Sequence, residues 1–306
     1  MTAETGRTFV APLFGFDWQG AEIQLAGGFW IKTIDPEPIF QQHSRTLSEQ
    51  DVKHCKRGKH WLYLELPPDS DLGEAEIMNL FLLALWAYKP TQTLLAYRFQ
   101  IKPTGSAVRL LDRFAGEPLG DSEVTDVDLK VVATYLSVLK ELTISSPRAK
   151  SSLLLNLHGC MAHSWQVAFV CLAAALESAL TYFEKGEKRI TERLARAYVA
   201  VIDPATENRD VIREEFKRLY DVRSRLVHEA AYRRENSQEN LDDLAKLVGL
   251  LRDLWKAACS SDEIRQYIGG ENSYRERVLQ SRGGLLENQG RQCCVTPGIR
   301  GVQGAV

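Results

Sequence analysis

Between Lys150 and Glu184 the chain carries one formally charged side chain, Glu177. Within that span, residues 162–183 are apolar nearly all round at helical spacing, which predicts the central helix of a bundle, since a helix without a wet face must be covered on every side. The apolar run 167–176 is too short to cross a bilayer and stops at Glu177. Covering helices are expected to follow in sequence. One runs over 187–202 and ends before Pro204. The next starts near Asn208 or Asp210 and carries Ile212, Phe216, Leu219, Leu226, Val227 and Ala230 on one face. The last long one spans 237–259, with Leu241, Leu244, Val248, Leu251 and Trp255 as its seam. Short helical pieces continue to Leu279. No strand pattern interrupts 150–280, so this half reads as all-α.

Residues 1–145 read differently. Alternation over 22–26, the pair Gly27-Gly28, and the run 29–34 predict a β-hairpin. Residues 61–66 form another strand, stopped by Pro67-Pro68. Asp71 or Gly73 caps a buried helix over 74–88, which Pro90 ends. Residues 91–102 and 108–114 return to strand patterns, and 115–121 reads as a loop. A helix over 126–142 carries Val127, Val131, Tyr135, Val138 and Leu142 on one stripe. This is an α+β arrangement. The polar, proline-containing stretch 143–152 is the expected boundary between two domains, 1–145 and 150–280, and the glycine-rich segment 282–306 reads as a disordered tail.

Net charge is -2 and the isoelectric point near 6.3, which excludes a strongly basic coat and confines any nucleic acid to a local patch. The six cysteines (Cys55, Cys160, Cys171, Cys259, Cys293 and Cys294) are scattered, with no C-x-x-C pair, as in a reducing cytosol. The first residues hold no apolar signal core, so the expected location is cytoplasmic, with no membrane association.

One residue sits awkwardly in the helix that starts near 208–210. Arg223 lies eleven residues after Ile212, about 20° from it on a helical wheel, inside the apolar stripe. A cation there needs an anionic partner or a wet cleft, and Glu177, the lone charge of the central helix, is the natural one. His228 follows five residues later, about 140° round the same helix, so the two side chains flank a groove and share no face. A site using both is most easily built where two copies of the helix meet.

The run Tyr220-Asp-Val-Arg223-Ser224-Arg-Leu-Val-His228, with Leu176-Glu177-Ser178-Ala179-Leu180 upstream, resembles the HEPN domains, and within them the ApeA-like branch of bacterial defence proteins. The resemblance covers roughly 150–260. It implies an all-α antiparallel helical bundle that dimerises through the Arg223/His228 helix and works as a metal-independent RNA endonuclease. It further implies the following roles. His228 moves a proton, Arg223 holds the scissile phosphate, Glu177 orients Arg223, and Ser224 stands where the family most often has asparagine, aspartate or histidine. Arg225, Arg233 and Arg234 would supply a local positive patch for RNA. A toxin or anti-phage role follows from the same likeness, with an antitoxin or a phage-derived trigger as partner. The alternative is an inactive HEPN-like dimer that binds a nucleotide, a nucleic acid or a protein.

Blander readings stand beside these. Arg223 and Glu177 also read as a structural ion pair, and the basic face with Arg189, Arg193 and Arg196 as a solvated helix surface. His54-Cys55 and His60 do not match zinc-ligand spacing, so no metal or other cofactor is expected. Neither a glycine-rich phosphate loop nor a G-x-S-x-G elbow is present. Trp30, Trp61 and Trp86 read as core.

Overall fold

The computed structural model describes residues 6–89, 91, 93–102, 105, 107–109, 123–162, 164–181, 190–202, 208–228 and 238–282. An antiparallel sheet comes first and a mostly helical region follows. The strands are β1 (Arg7–Phe14), β2 (Glu22–Gln24), β3 (Phe29–Lys32), β4 (His60–Leu66), β5 (Leu94–Leu95), β6 (Tyr97–Lys102) and β7 (Ala107–Arg109). Their order is β2-β3-β4-β1-β6-β7, with β5 extending the β6 side of β1. The hairpin over β2 and β3 forms as expected, with Gly27 and Gly28 at φ 71° and 84° in the turn, a region only glycine enters freely.

β1 lies at the centre of the sheet, paired with β4 in register Val10↔Tyr63 and with β6 in register Val10↔Phe99. Its alternate residues face two cores. Phe9, Ala11 and Leu13 join the main core, while Val10 packs with Trp61, Tyr97 and Phe99. That second face is closed by Ile39 and Phe40 from α1 (Glu37–Gln42) and Cys55 from α2 (Glu49–Cys55). A strand buried on both faces loses polar alternation. Pro12 makes it look less like a central strand still. The gap between β5 and β6 falls opposite Ala11 and Pro12, where the proline has no N–H to give.

α3 (Glu74–Tyr88) starts at Gly73, whose N–H donates to the Glu76 carboxylate at 3.1 Å. Every residue from Leu80 to Ala87 is buried. α4 (Asp126–Ser145) is opened by a capping box between Thr125 and Asp128. Val127, expected on its inner stripe, is exposed, and Leu129, Val132 and Leu136 take its place. The region 143–152 is the end of α4 and the start of α5 (Pro147–Met161), where Ser146 caps and Pro147 takes the first helical position. α6 (Trp165–Leu180) packs along α5. The Ser152 hydroxyl donates to the Ala175 carbonyl at 2.7 Å, and Gly159 allows Leu172 close approach.

α7 (Ile190–Ile202), α8 (Arg209–His228) and α9 (Gln238–Ser260) wrap the other side of α6, and α10 (Asp262–Gly269) and α11 (Asn272–Ser281) close the end. Phe216, Leu219 and Val222 are the buried residues of α8; Val227, read as part of its apolar face, is exposed, and Ala230 lies outside the described residues. Leu244, Val248, Leu251 and Trp255 form the α9 seam as expected, but Leu241 is exposed. The main core runs without a break from the sheet through α3 to these helices. Arg252 on α9 reaches back to α3, donating to the Trp86 carbonyl at 3.1 Å with its guanidinium 5.5 Å from the Trp86 ring.

At the far end, Arg275 of α11 is buried beside the last turn of α6. It donates to the carbonyls of Thr181 and Ile268, and Arg148 of α5 meets the same Thr181 carbonyl. Burial, and then the neighbouring Arg148, lower the Arg275 pKa to about 10. The negative end of the α6 dipole favours this crowding of cations. Arg282, read from sequence as the first residue of a disordered tail, is braced by Glu263 at 2.5 Å; residues 283–306 lie outside the described ones.

Candidate active site

α6 and α8 meet where their sequences carry the awkward charges. Glu177 sits one turn before the end of α6, and Arg223 and Tyr220 lie three residues apart on α8, on one face. Both reach the same carboxylate oxygen. The Tyr220 hydroxyl donates to Glu177 Oε2 at 2.9 Å, and Arg223 Nη2 lies 3.5 Å from that atom. The side chains are 21% exposed for Arg223 and 33% for Glu177, so water reaches the pair and screens it. The Arg223 guanidinium lies 5.5 Å from the Tyr220 ring, which in turn stacks on Phe216. Burial and the Glu177 charge raise the Tyr220 pKa to about 12, so the phenol remains a neutral donor across the physiological range.

Arg223 is therefore held in direction but not saturated. One terminal nitrogen faces Glu177 at the long limit of a hydrogen bond, and Nε is enclosed without a partner among the described residues. A guanidinium carries five N–H donors in a fixed fork. An arginine pinned on one side with donors to spare is a ready receptor for an oxyanion.

His228 stands apart from this group. It is exposed at the last position of α8, about 7.5 Å further along the axis and about 140° round from Arg223. Ser224 is half-buried and Arg225 exposed. Arg233 and Arg234, expected to contact RNA, lie outside the described residues, as does Arg189. Arg196 is half-buried and paired with Glu192 at 2.7 Å. Of the expected site residues, then, the fold brings Glu177 and Arg223 together and leaves His228 on a different face. Tyr220 had no role assigned from sequence. Its position three residues before Arg223 was the available signal, because i and i+3 share a helix face.

Among the described residues no three His, Cys, Asp or Glu side chains gather to hold a metal ion. His54 Nδ1 lies 3.3 Å from the Tyr97 hydroxyl, and buried His60 donates from Nε2 to the Gly20 carbonyl at 3.1 Å. Among the same residues no helix is long and apolar enough to cross a membrane. No family model, curated protein or solved structure matches the chain.

Proposed function

We propose that the chain is a metal-independent RNA endonuclease built on a HEPN-like helical bundle, acting as a homodimer through α8. The observation that carries this reading is Arg223, a partly exposed arginine on the inner side of α8 that meets Glu177 through a single long contact from Nη2, beside the Tyr220 hydroxyl on the same carboxylate oxygen. The divergence of His228 from Arg223 within one α8 supports a composite site, since a second α8 laid antiparallel can bring the partner's histidine toward the first copy's arginine.

In that site the ribose 2′-hydroxyl loses its proton to one imidazole, and its oxygen bonds to the adjacent phosphorus. The bond from phosphorus to the 5′ oxygen breaks, and that oxygen takes a proton from the second imidazole. The products are a 2′,3′-cyclic phosphate and a 5′-hydroxyl. A histidine suits both transfers because imidazole titrates near neutral pH, and such catalysis typically contributes ~10²- to 10⁴-fold. Arg223 stabilises the charge that grows on the phosphoryl oxygens. Glu177 and Tyr220 act through Arg223 as positioning residues. Ser224 and Arg225 lie beside them on the same turn of α8.

The test is cleavage of mixed RNA in EDTA by the intact chain, beside Arg223→Ala and His228→Ala. Cleavage that ends in a cyclic phosphate and is lost in both variants supports the proposal; equal cleavage by all three proteins ends it. The second reading is an inactive HEPN-like dimer serving as a binding module. It is favoured by the exposure of His228 at the end of α8, away from the Glu177–Tyr220–Arg223 cluster, and it predicts a folded dimer with no cleavage.

A further inference from the structure

A second cationic site lies at the opposite end of α8. Arg196, Val199 and Ala200 of α7, Arg209, Asp210 and Arg213 in the first turns of α8, and Arg282 after α11 line a cleft of about 200 Å³. Four of these side chains are guanidinium groups and one is a carboxylate. We propose that this cleft binds a phosphate group, either the diphosphate of a small nucleotide or the backbone of a single-stranded nucleic acid.

Three observations carry the assignment. Two of the four guanidinium groups are braced from outside the cleft: Glu192 holds Arg196 at 2.7 Å and Glu263 holds Arg282 at 2.5 Å, and neither glutamate lines the cavity. Glu192 fixes the Nε edge of Arg196, and Arg282 is held by Glu263 and, through Nη1, by the Ala200 and Val201 carbonyls at 3.5 Å, so ordering entropy is spent before a ligand arrives. Next, Arg213 meets Asp210 at 3.1 Å through a terminal nitrogen and Glu214 at 3.7 Å through Nε, and both carboxylates are largely exposed, which leaves its remaining terminal N–H groups to turn toward the cleft. Asp210 itself is largely exposed, so it screens Arg213 weakly. Finally, the space suits the ligand. A water claims about 30 Å³ of liquid, so the cleft has room for one or two phosphate groups in place of several waters.

The site is separate from the Glu177–Arg223 cluster. Arg213 precedes Arg223 by ten residues, about 15 Å along the helix. The proposal stands without the nuclease reading, and its failure leaves that reading untouched.

Binding is measured on the intact chain by calorimetry at low salt, with inorganic pyrophosphate in one arm and a 2′-O-methyl oligonucleotide, which resists cleavage, in the other. Arg213→Gln removes a donor fork. Val199→Glu adds a carboxylate to the half-buried wall while leaving every ion pair of the cleft in place. Lys59→Gln, an exposed change in the sheet half, is the control. Saturable binding that weakens about tenfold or more in each cleft variant, and not in the control, is the expected result. Circular dichroism verifies that the variants are folded. Binding of pyrophosphate assigns the site to small phosphorylated ligands; binding of the oligonucleotide alone assigns it to a polymer backbone. No saturable binding of either probe, or equal binding by Val199→Glu and the unaltered chain, overturns the proposal.

Discussion

Gly159 offers a quantitative check on how α6 is held. A β-carbon built there would lie 2.5 Å from Leu172 Cγ, 2.8 Å from Leu172 Cδ2 and 3.1 Å from the Ala168 carbonyl oxygen. Carbon atoms pack at about 3.5–4.0 Å, so Gly159→Ala forces α5 and α6 apart by about 1 Å. The leucine cannot swing clear by its tip alone, because the nearest atom is its branch point and backbone stands behind it. Overpacking of this kind costs about 1–3 kcal/mol. The same shift loosens the Ser152 hydrogen bond to Ala175, worth about 1 kcal/mol. Alanine returns about 1 kcal/mol through helix propensity. The net expectation is destabilisation by about 1–3 kcal/mol, a fall in melting temperature of about 2–5 °C for a chain of this length. Urea denaturation followed by far-UV circular dichroism reads it. Leu172→Ala alone costs about 2–5 kcal/mol, since the side chain is fully buried. In the double variant the new methyl group fills part of the hole, and the two costs should sum to about 1 kcal/mol more than is observed. A neutral or stabilising Gly159→Ala, or strict additivity in the double variant, refutes the close approach of the two helices.

Two further outcomes follow from buried polar groups. His43 and His60 are buried, and desolvation holds both below the usual imidazole pKa against weaker opposing contacts with the backbone of Gln100 and Gly20. The unfolded chain therefore binds more protons as pH falls below about 6.5, and native stability should be full above that value and decline beneath it, by at most about 1.4 kcal/mol per pH unit for each histidine; a titration of urea midpoints that stays flat between neutrality and pH 5 would contradict the burial. Tyr220→Phe removes the 2.9 Å hydrogen bond to Glu177 while keeping the stacked ring, so about 1 kcal/mol of stability is lost; activity, where present, falls without a shift in its pH profile, whereas a shifted profile would mean that the phenol itself transfers protons.

The long apolar helices were legible from sequence because their periodicity needs no tertiary information: α3, α6 and α9 stand within a few residues of where the pattern put them. The pairing of Glu177 with Arg223 was legible for a related reason, since each charge was conspicuous against an apolar stripe. What stayed hidden was structure whose signal is ambiguous by itself. β1 lacks alternation because both its faces are buried, and Pro12 makes its middle look like a break. Ser146-Pro147 marks a helix start as readily as a linker, and the polar residues at the start of α5 hid the helix that begins there. The exposure of Val127, Val227 and Leu241 depends on which neighbouring helix covers which side, information that no single helix contains.

Arg275 and Arg148 grip the peptide carbonyl of Thr181, whose own N–H returns to the Glu177 carbonyl at 2.8 Å. The last helix of the described chain is thus a hand on the stem that carries the orienting carboxylate. The tie runs from the Arg275 guanidinium through the Thr181 carbonyl to the last turn of α6, so α11 is anchored about one helical turn from Glu177.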